Sequence, residues 1–457
     1  MINLTVREIA QTTGARIFSA DEDMPVDGLS IDTRTIKTGE FFIALKGRNF
    51  NGHDYIPEAI KKGAGGIIAE YPAARGYGNE VDHLIIVDDT FRAMGKIAEY
   101  IRKRSGIPVI CITGTNGKTT LKEILSGLLS SRYRPLKSPG TYNNLIGVSL
   151  TLFDLEPSHD IAVIELGSNH PGEIAALAGI TSPDAAVITN IGDAHIEFFG
   201  DRKGVFREKA GLLEYLPGSG AAFLNGDDAH LSGITGKMDI KFFGRSSDCD
   251  FRITDIKKSG GGYDFCLNGE RLFIPVEGEH NVYNAAAAAC VAACFGIDYA
   301  SIRKTMSEVS LPRMRLERIS VNDIVFINDA YNANPDSFEC ALDVLKNIVT
   351  DGKKSVIAGD MLELGERAAE LHKKIGKSIA SKNIDFLITV GDLAKFVARG
   401  ALSGGMNENR VFCAKDREDA ARVIRELAGP SDVVLLKGSR SARMEGIIKC
   451  FTMSCSR

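Results

Sequence analysis

The sequence predicts an α/β protein of three domains, a small N-terminal α/β unit, a central P-loop-type unit on a mostly parallel sheet and a C-terminal Rossmann-like doubly wound unit. Three observations carry this. Short apolar runs alternate with helix-like stretches along the whole chain. A glycine loop follows one such run and opens a helix. A charged, proline-bearing segment, SLPRMRLER (310–318), separates two α/β stretches. With 457 residues the chain has room for several domains, divided here as 1–104, 105–312 and 313–457.

In the first stretch the strand candidates are Phe41–Leu45, Gly66–Ala69 and Leu84–Val87, with Ile56–Lys62 helix-like. In the second they are Val109–Thr113, Ile161–Glu165, Ala185–Thr189 and Ala221–Leu224, uniformly apolar as buried parallel strands are. A β-rich patch follows (Phe251–Ile256, Tyr263–Leu267, Leu272–Pro275), then the Ala-rich helix Asn281–Ala293. In the third the strands are Ile324–Asn328, Ser355–Ala358, Phe386–Val390, Arg410–Cys413 and Val433–Leu436.

Composition bounds function. Hydrophobic and charged contents of 44% and 25% are ordinary for a soluble globular protein. A net charge of −4 gives no basic surface for nucleic acid. The nine cysteines form no C-x-x-C pair, and their odd count suits a reducing compartment. Arg7 and Glu8 interrupt the place of a signal peptide's apolar core, and no run is long enough to span a membrane. A cytoplasmic enzyme without membrane insertion is expected.

The most informative stretch is ITGTNGKTT (112–120), between the run ending at Thr113 and the helix-like Leu121–Leu129. Glycines let backbone N–H groups turn toward phosphate oxygens, and the helix N-terminus adds partial positive charge. Gly114, Thr115, Asn116, Gly117 and Thr120 build the loop; Lys118 suits the β/γ-phosphates and Thr119 a Mg²⁺ ion. The usual G-x-x-x-x-G-K-[ST] pattern would need a glycine at Ile112.

Six further constellations stand out. Glu165 ends an apolar strand in ELGSNHPGEI, where ligands of parallel sheets bind and a Mg²⁺ ligand would face the loop. His195, in TNIGDAHIEFFG, fits a metal ligand, a general base or a core histidine. Lys209 lies in a helix, where a plain surface lysine is the ordinary reading. Asn281 and Asn284 share a helix face that suits a purine or an ordinary cap. Asp329 ends a strand, where a carboxylate can take ribose hydroxyls, and Asn332, Asn334 and Ser337 crowd the next loop. Lys437 opens Lys-Gly-Ser-Arg, an anion nest or a plain βα turn.

TGTNGKTT, ELGSNHPGEI, NIGDAHIEFFG, GEHNVYN and the Lys-Gly-Ser-Arg turn, in this order, resemble the Mur ligase family of bacterial cell-wall synthesis over essentially the whole chain. AYNANPDS (330–337), GDMLELGE (359–366) and FFIALKGRNFNGHDYI (41–56) resemble, within it, the ligase that joins D-alanyl-D-alanine to UDP-N-acetylmuramoyl-tripeptide. The D-N-P-R signature of the diaminopimelate- or lysine-adding relatives is absent, as is the A-H-N-P stretch of folylpolyglutamate synthetases.

The resemblance implies an ADP-forming amide ligase that works through an acyl phosphate, uses ATP and two Mg²⁺, and acts as a monomer. Lys118 and Thr119 would hold triphosphate and the first Mg²⁺, and Glu165 and His195 the second. Lys209 would be carbamylated into a metal ligand. Asn281 would lie against adenine, Asp329 on ribose, and Arg315 near the γ-phosphate. Asn143 and Asn144 would stand near metal and substrate. Thr33, Arg34, Lys46, Asn51 and His53 would hold the UDP-sugar in the first domain. Catalytic roles would fall to Lys118, His195, Lys209 and Arg315. The chain departs from the family pattern around Lys209, at Met314 before Arg315, at Asn328 before Asp329, and at Thr33, which replaces a serine. The rival from another class is a P-loop ATPase driving a conformational switch.

Overall fold

The computed structural model describes residues 2, 4–19, 21–47, 50–71, 77 and 83–453. Of the features above, Met1, Asn3, Arg48, Asn49 and Cys455 lie outside these.

The described chain is mixed α/β, with three principal sheets. Near the N-terminus β1 (Leu4–Thr5) pairs antiparallel with β3 (Pro25–Val26). The first sheet holds β2 (Arg16–Ser19), β4 (Leu29–Ser30), β5 (Phe41–Ile43), β6 (Gly66–Glu70) and β7 (Leu84–Val87), in the order β2-β7-β6-β5-β4. It is parallel except at β2.

The central sheet contains β8 (Val109–Thr113), β9 (Pro135–Lys137), β10 (Ile161–Glu165), β11 (Ala185–Ile188), β12 (Ala221–Asn225), β13 (Asp239–Gly244), β14 (Phe251–Ser259), β15 (Gly262–Leu267) and β16 (Glu270–Ile274). Its order is β16-β15-β14-β13-β12-β11-β8-β10-β9. β9 through β14 are parallel, and β15 and β16 continue the sheet antiparallel. The β-rich patch is thus the far edge of the sheet that carries the glycine loop. Every residue of β8, β10 and β11 is buried, because helices cover both faces. On one face Leu121, Ile124, Leu125 and Leu128 pack with the alanines of helix His280–Cys294. Those small side chains let the two helices lie close. On the other face the cluster includes Ile97 and Ile101 of helix Thr90–Ser105, with Val148, Leu152 and Leu177. Arg102 of that helix donates to the carbonyls of Thr181 and Ser182 (2.7 and 3.0 Å) and pairs with Asp184 at 2.7 Å, tying the first sheet's exit helix to the central unit.

The last sheet contains β17 (Glu317–Val321), β18 (Ile324–Asn328), β19 (Lys354–Gly359), β20 (Phe386–Val390), β21 (Val411–Ala414) and β22 (Val433–Lys437) in the order β17-β18-β22-β19-β20-β21, parallel except at β17.

Seven strands were not expected from sequence: β1, β2, β3, β4 and β9, each only two to four residues long, and β13 and β17. β13 is half-exposed with a mixed pattern, and β17 is an edge strand alternating half-buried and exposed positions. Neither carries the continuous apolar run of a central strand. The helix after the glycine loop begins at Lys118 rather than Leu121. No helix among the described residues is long and apolar enough to cross a membrane.

Candidate active site

β8, β10 and β11 are neighbours, so their C-terminal loops meet at one place. The loop after β8 makes a tight turn through two glycines. Gly114 has φ +137°, and a β-carbon there would stand 2.0 Å from Thr189 Oγ1. Gly117 has φ +87°, and a β-carbon there would stand 2.3 Å from Asn284 Oδ1. Only glycine fits either place. The loop after β11 braces it. Asn190 accepts from the Asn116 N–H (3.0 Å) and donates back to the Asn116 carbonyl (3.0 Å), and the Gly192 N–H donates to Thr115 Oγ1 (2.8 Å). Gly117 caps the following helix without a side-chain bond, which leaves its first N–H groups for an anion.

The ionisable groups below this loop are buried or half-buried and poorly partnered. Lys118 Nζ donates to the carbonyls of Gly114 (2.7 Å) and Thr115 (3.1 Å). Burial holds its ammonium below the ordinary lysine value; Glu165 opposes this and Arg315 adds to it. Glu165 is 1% exposed. Its Oε1 accepts from Asn143 Nδ2 at 2.8 Å, while its Oε2 is buried with no hydrogen-bond partner. A buried carboxylate oxygen left open beside a buried threonine hydroxyl, Thr119, fits a hard divalent cation, which prefers oxygen ligands. Among the described residues no three His, Cys, Asp or Glu side chains cluster as a metal site, so such an ion would need Thr119 or a modified lysine to complete its ligands.

Lys209 is buried with a single hydrogen-bond partner, Ser168 Oγ at 2.7 Å. Burial, and then the charge of Lys118, lower it to about 7, against the pull of Glu208 and Glu173. It is no surface lysine, and it sits behind Ser168 rather than in the cleft wall.

The cleft of about 830 Å³ over the loop is lined from both the central and the C-terminal units. Arg315 donates to Thr119 Oγ1 at 2.8 Å, with its guanidinium 4.4 Å above the Tyr331 ring. Asn334 Nδ2 donates to Asn116 Oδ1 at 2.9 Å. Arg202 bridges Asp193 and Asp336, each at 2.9 Å. His195 Nδ1 bonds Glu363, which this contact holds below the usual carboxylate range. Asp329 pairs with buried Lys437, which also donates to the Asn332 carbonyl at 3.1 Å. Along another part of the cleft Asn281 and Asn284 are hydrogen-bonded to each other at 3.0 Å, with Asn281 next in sequence to His280, whose pKa burial lowers to about 4.

Most of the expected site residues line this cleft: the loop from Thr115 to Thr120, Asn143, Glu165, His195, Asn281, Asn284, Arg315, Asp329, Asn332, Asn334, Ser337 and Lys437. Gly114 lies just beneath, set by its turn. Asn144 is elsewhere, capping helix Leu145–Phe153 by accepting from the Gly147 N–H. Asn334 and Ser337 form a reciprocal cap on helix Pro335–Asn347, which accounts for part of the amide crowding. The first-domain residues stand apart from the cleft. Arg34 is exposed and paired with Asp32, which it holds at about 2, and the carbonyl of buried Thr33 accepts from Lys62. Lys46 is exposed and bridges backbone to backbone with Asn51. Asn51 Oδ1 meets His53 Nδ1 at 2.8 Å, and His53 Nε2 accepts from the Glu70 N–H at 2.9 Å. Sequence reasoning assigned no site role to Arg202, Tyr331, Asp336, Glu363 or Ser168. Glu363 lies within GDMLELGE, but nothing local marks it as a partner of His195.

Comparisons with known proteins agree with this geometry. Three family models cover successive parts of the chain: "Mur ligase family, catalytic domain" residues 25–109, "Mur ligase middle domain" residues 112–292 and "Mur ligase, glutamate ligase domain" residues 314–440. The UDP-N-acetylmuramoyl-tripeptide–D-alanyl-D-alanine ligase of Bacillus subtilis is 35% identical, with 98% of each chain covered, and that of Escherichia coli 31%, with 98% of each covered. The crystal structure of MurF from Acinetobacter baumannii superposes with a TM-score of 0.89 at 29% identity, covering 99% of each chain. MurF ligase from Thermotoga maritima in complex with ADP superposes with a TM-score of 0.82 at 27% identity, covering 93% of this chain and 97% of that one. Taken with the phosphate loop and the cleft above it, these matches place the chain in the Mur ligase family.

Proposed function

We propose that this chain is an ATP-dependent ligase that joins D-alanyl-D-alanine to UDP-N-acetylmuramoyl-tripeptide and releases ADP and phosphate, yielding the UDP-pentapeptide precursor of peptidoglycan. The observation that carries it is the cleft itself. A phosphate loop with half-buried Lys118 and an unpaired Glu165 oxygen faces residues supplied by the C-terminal unit, with Lys209, its pKa lowered to about 7, behind Ser168. The relatives named for this reaction cover 98% of the chain.

A carboxylate is a poor electrophile for an amine. Lys118 and the loop N–H groups draw charge from the γ-phosphoryl as the substrate carboxylate attacks it, forming an acyl phosphate and ADP. Arg315, lying against Thr119, adds a cation on the same side. The α-amino group of D-alanyl-D-alanine then displaces phosphate through a tetrahedral intermediate. Asn281 and Asn284 suit adenine and Asp329 ribose. Asn143 orients Glu165. Asn332, Asn334, Ser337 and Lys437 shape the dipeptide side. Thr119, Glu165 and His195 would hold Mg²⁺, which when bound neutralises phosphate charge. Lys209, with its pKa lowered to about 7 and so partly neutral at neutral pH, has a lone pair available to take up CO₂, losing a proton to become a carbamate anion in place of a cation. Thr33, Arg34 and Lys46 hold the UDP-sugar, with Asn51 and His53 bracing their loop; Asn144 acts through the helix it caps. This reading places the domains at 1–104, 105–312 and 313–457, and the enzyme in the cytoplasm as a monomer.

The test is phosphate release from ATP and Mg²⁺ with UDP-N-acetylmuramoyl-tripeptide, with and without D-alanyl-D-alanine. Release that needs both, with a UDP-pentapeptide product by mass, is expected. Release with neither substrate would overturn the ligase in favour of an ATPase switch.

A further inference from the structure

His195 and Glu363 meet across the junction of the central and C-terminal units, 168 residues apart in sequence. His195 precedes the one-turn helix Ile196–Phe199 in the left-handed region, φ 54°, and Glu363 has φ 61°. Left-handed backbone is unfavourable for residues of this size, so surrounding contacts must hold both. The docking is more than one side chain. The Glu197 N–H donates to the Glu363 carbonyl at 3.2 Å, and a β-carbon on Gly365 would stand 3.2 Å from Glu197 Cα. His195 lines the cleft and Glu363 does not.

We propose that Glu363 is the positioning residue of His195, and that the C-terminal unit, by docking it, sets which ring nitrogen faces the cleft. An ionised carboxylate only accepts, so Nδ1 must carry the hydrogen in this pair. In that tautomer Nε2 carries the lone pair. Without Glu363 the ring is free to take the other tautomer and other rotamers. Because the carboxylate comes from the far unit, His195 is oriented only where the two units meet, which ties its competence to their closure. This rests on the reading that His195 serves the ligase reaction.

The experiment compares Glu363→Ala, Glu363→Gln, His195→Ala and the double Ala variant in the full chain, by kcat, KM for ATP and melting temperature. Glutamine keeps an acceptor oxygen for Nδ1–H and guards against loss of the docked loop. A fall of about 10–100-fold in kcat for Glu363→Ala is expected, with KM for ATP within about twofold. Glu363→Gln should recover most of it, and the double variant should be no worse than His195→Ala. Multiplying losses in the double variant, or no recovery with glutamine, would overturn the proposal and leave Glu363 a purely structural contact. Wild-type kcat in Glu363→Ala beside an impaired His195→Ala would overturn it while sparing the role of His195. A fully active His195→Ala would overturn the reading beneath it.

Discussion

The first-domain loop around His53 and the floor of the central cleft treat their polar groups in opposite ways. Both His53 ring nitrogens have partners, one from Asn51 and one from the Glu70 backbone. In the cleft floor Glu165 keeps a buried oxygen without a partner, Lys118 is folded onto its own loop, and Lys209 has only a serine. Burying an unmatched charge or polar atom is costly. Such groups persist where a ligand will supply the missing partner, as a triphosphate with its metal would here. Satisfied groups hold the scaffold. Substitutions on the floor should therefore remove activity and spare stability, and those in the His53 loop should do the reverse.

The sharpest test is Lys118→Ala. Turnover should fall by roughly 10³-fold or more, since one preorganised cation or donor is worth about that in comparable sites, with the melting temperature nearly unchanged. Wild-type turnover would break the comparison at its strongest point.

Lys209 comes next. Activity should rise as pH passes upward through about 7, where its amine becomes neutral and can take up CO₂, and should fall in CO₂-depleted buffer. Lys209→Ala should lose activity chiefly through a weaker response to Mg²⁺, read from the metal titration. Stability offers an independent check. The folded pKa of about 7 lies below the ordinary 10.5, so between these values the unfolded chain binds more protons. The ligand-free protein is then penalised fully below pH 7 and gains stability as pH rises toward 10.5. Lys209→Met should flatten that slope in urea melts.

His53→Ala should cost about 1–3 kcal/mol, because it strands the Glu70 N–H. With saturating UDP-substrate, kcat should stay near wild type. A large kcat loss without destabilisation would move His53 from scaffold to site. The smallest effect is expected at the partly exposed ion pairs of Arg202. Arg202→Ala breaks pairs with Asp193 and Asp336; Arg202 and Asp336 are about 40% exposed and only Asp193 is nearly buried, at 12%, so the loss should be about 1 kcal/mol, mostly from stranding Asp193, and shrink with added salt.

How readable each part was in sequence follows from how local its physics is. The phosphate loop was readable because strand, glycines, lysine and helix are contiguous. Glu165 was readable because a fully apolar strand ends on it, and parallel strands end at the site. β13 and the edge strand β17 were missed because half-exposed and exposed positions dilute any apolar run. The amide loop at 332–337 was marked for ligand chemistry, yet Asn334 also serves its own helix cap and the bridge to Asn116. Arg202, Tyr331 and Glu363 drew no site role because their partners are distant in sequence, as with the 134 residues between Arg202 and Asp336.

By itself the sequence determined the α/β character, the phosphate loop and the acidic strand end, since apolar periodicity and glycine's backbone freedom act over a few residues. Only the tertiary structure decided which buried groups go unpaired, that Lys209 titrates near neutrality, and that Glu363 meets His195. Burial and electrostatics depend on everything packed around a group, and that surrounding is assembled from segments far apart along the chain.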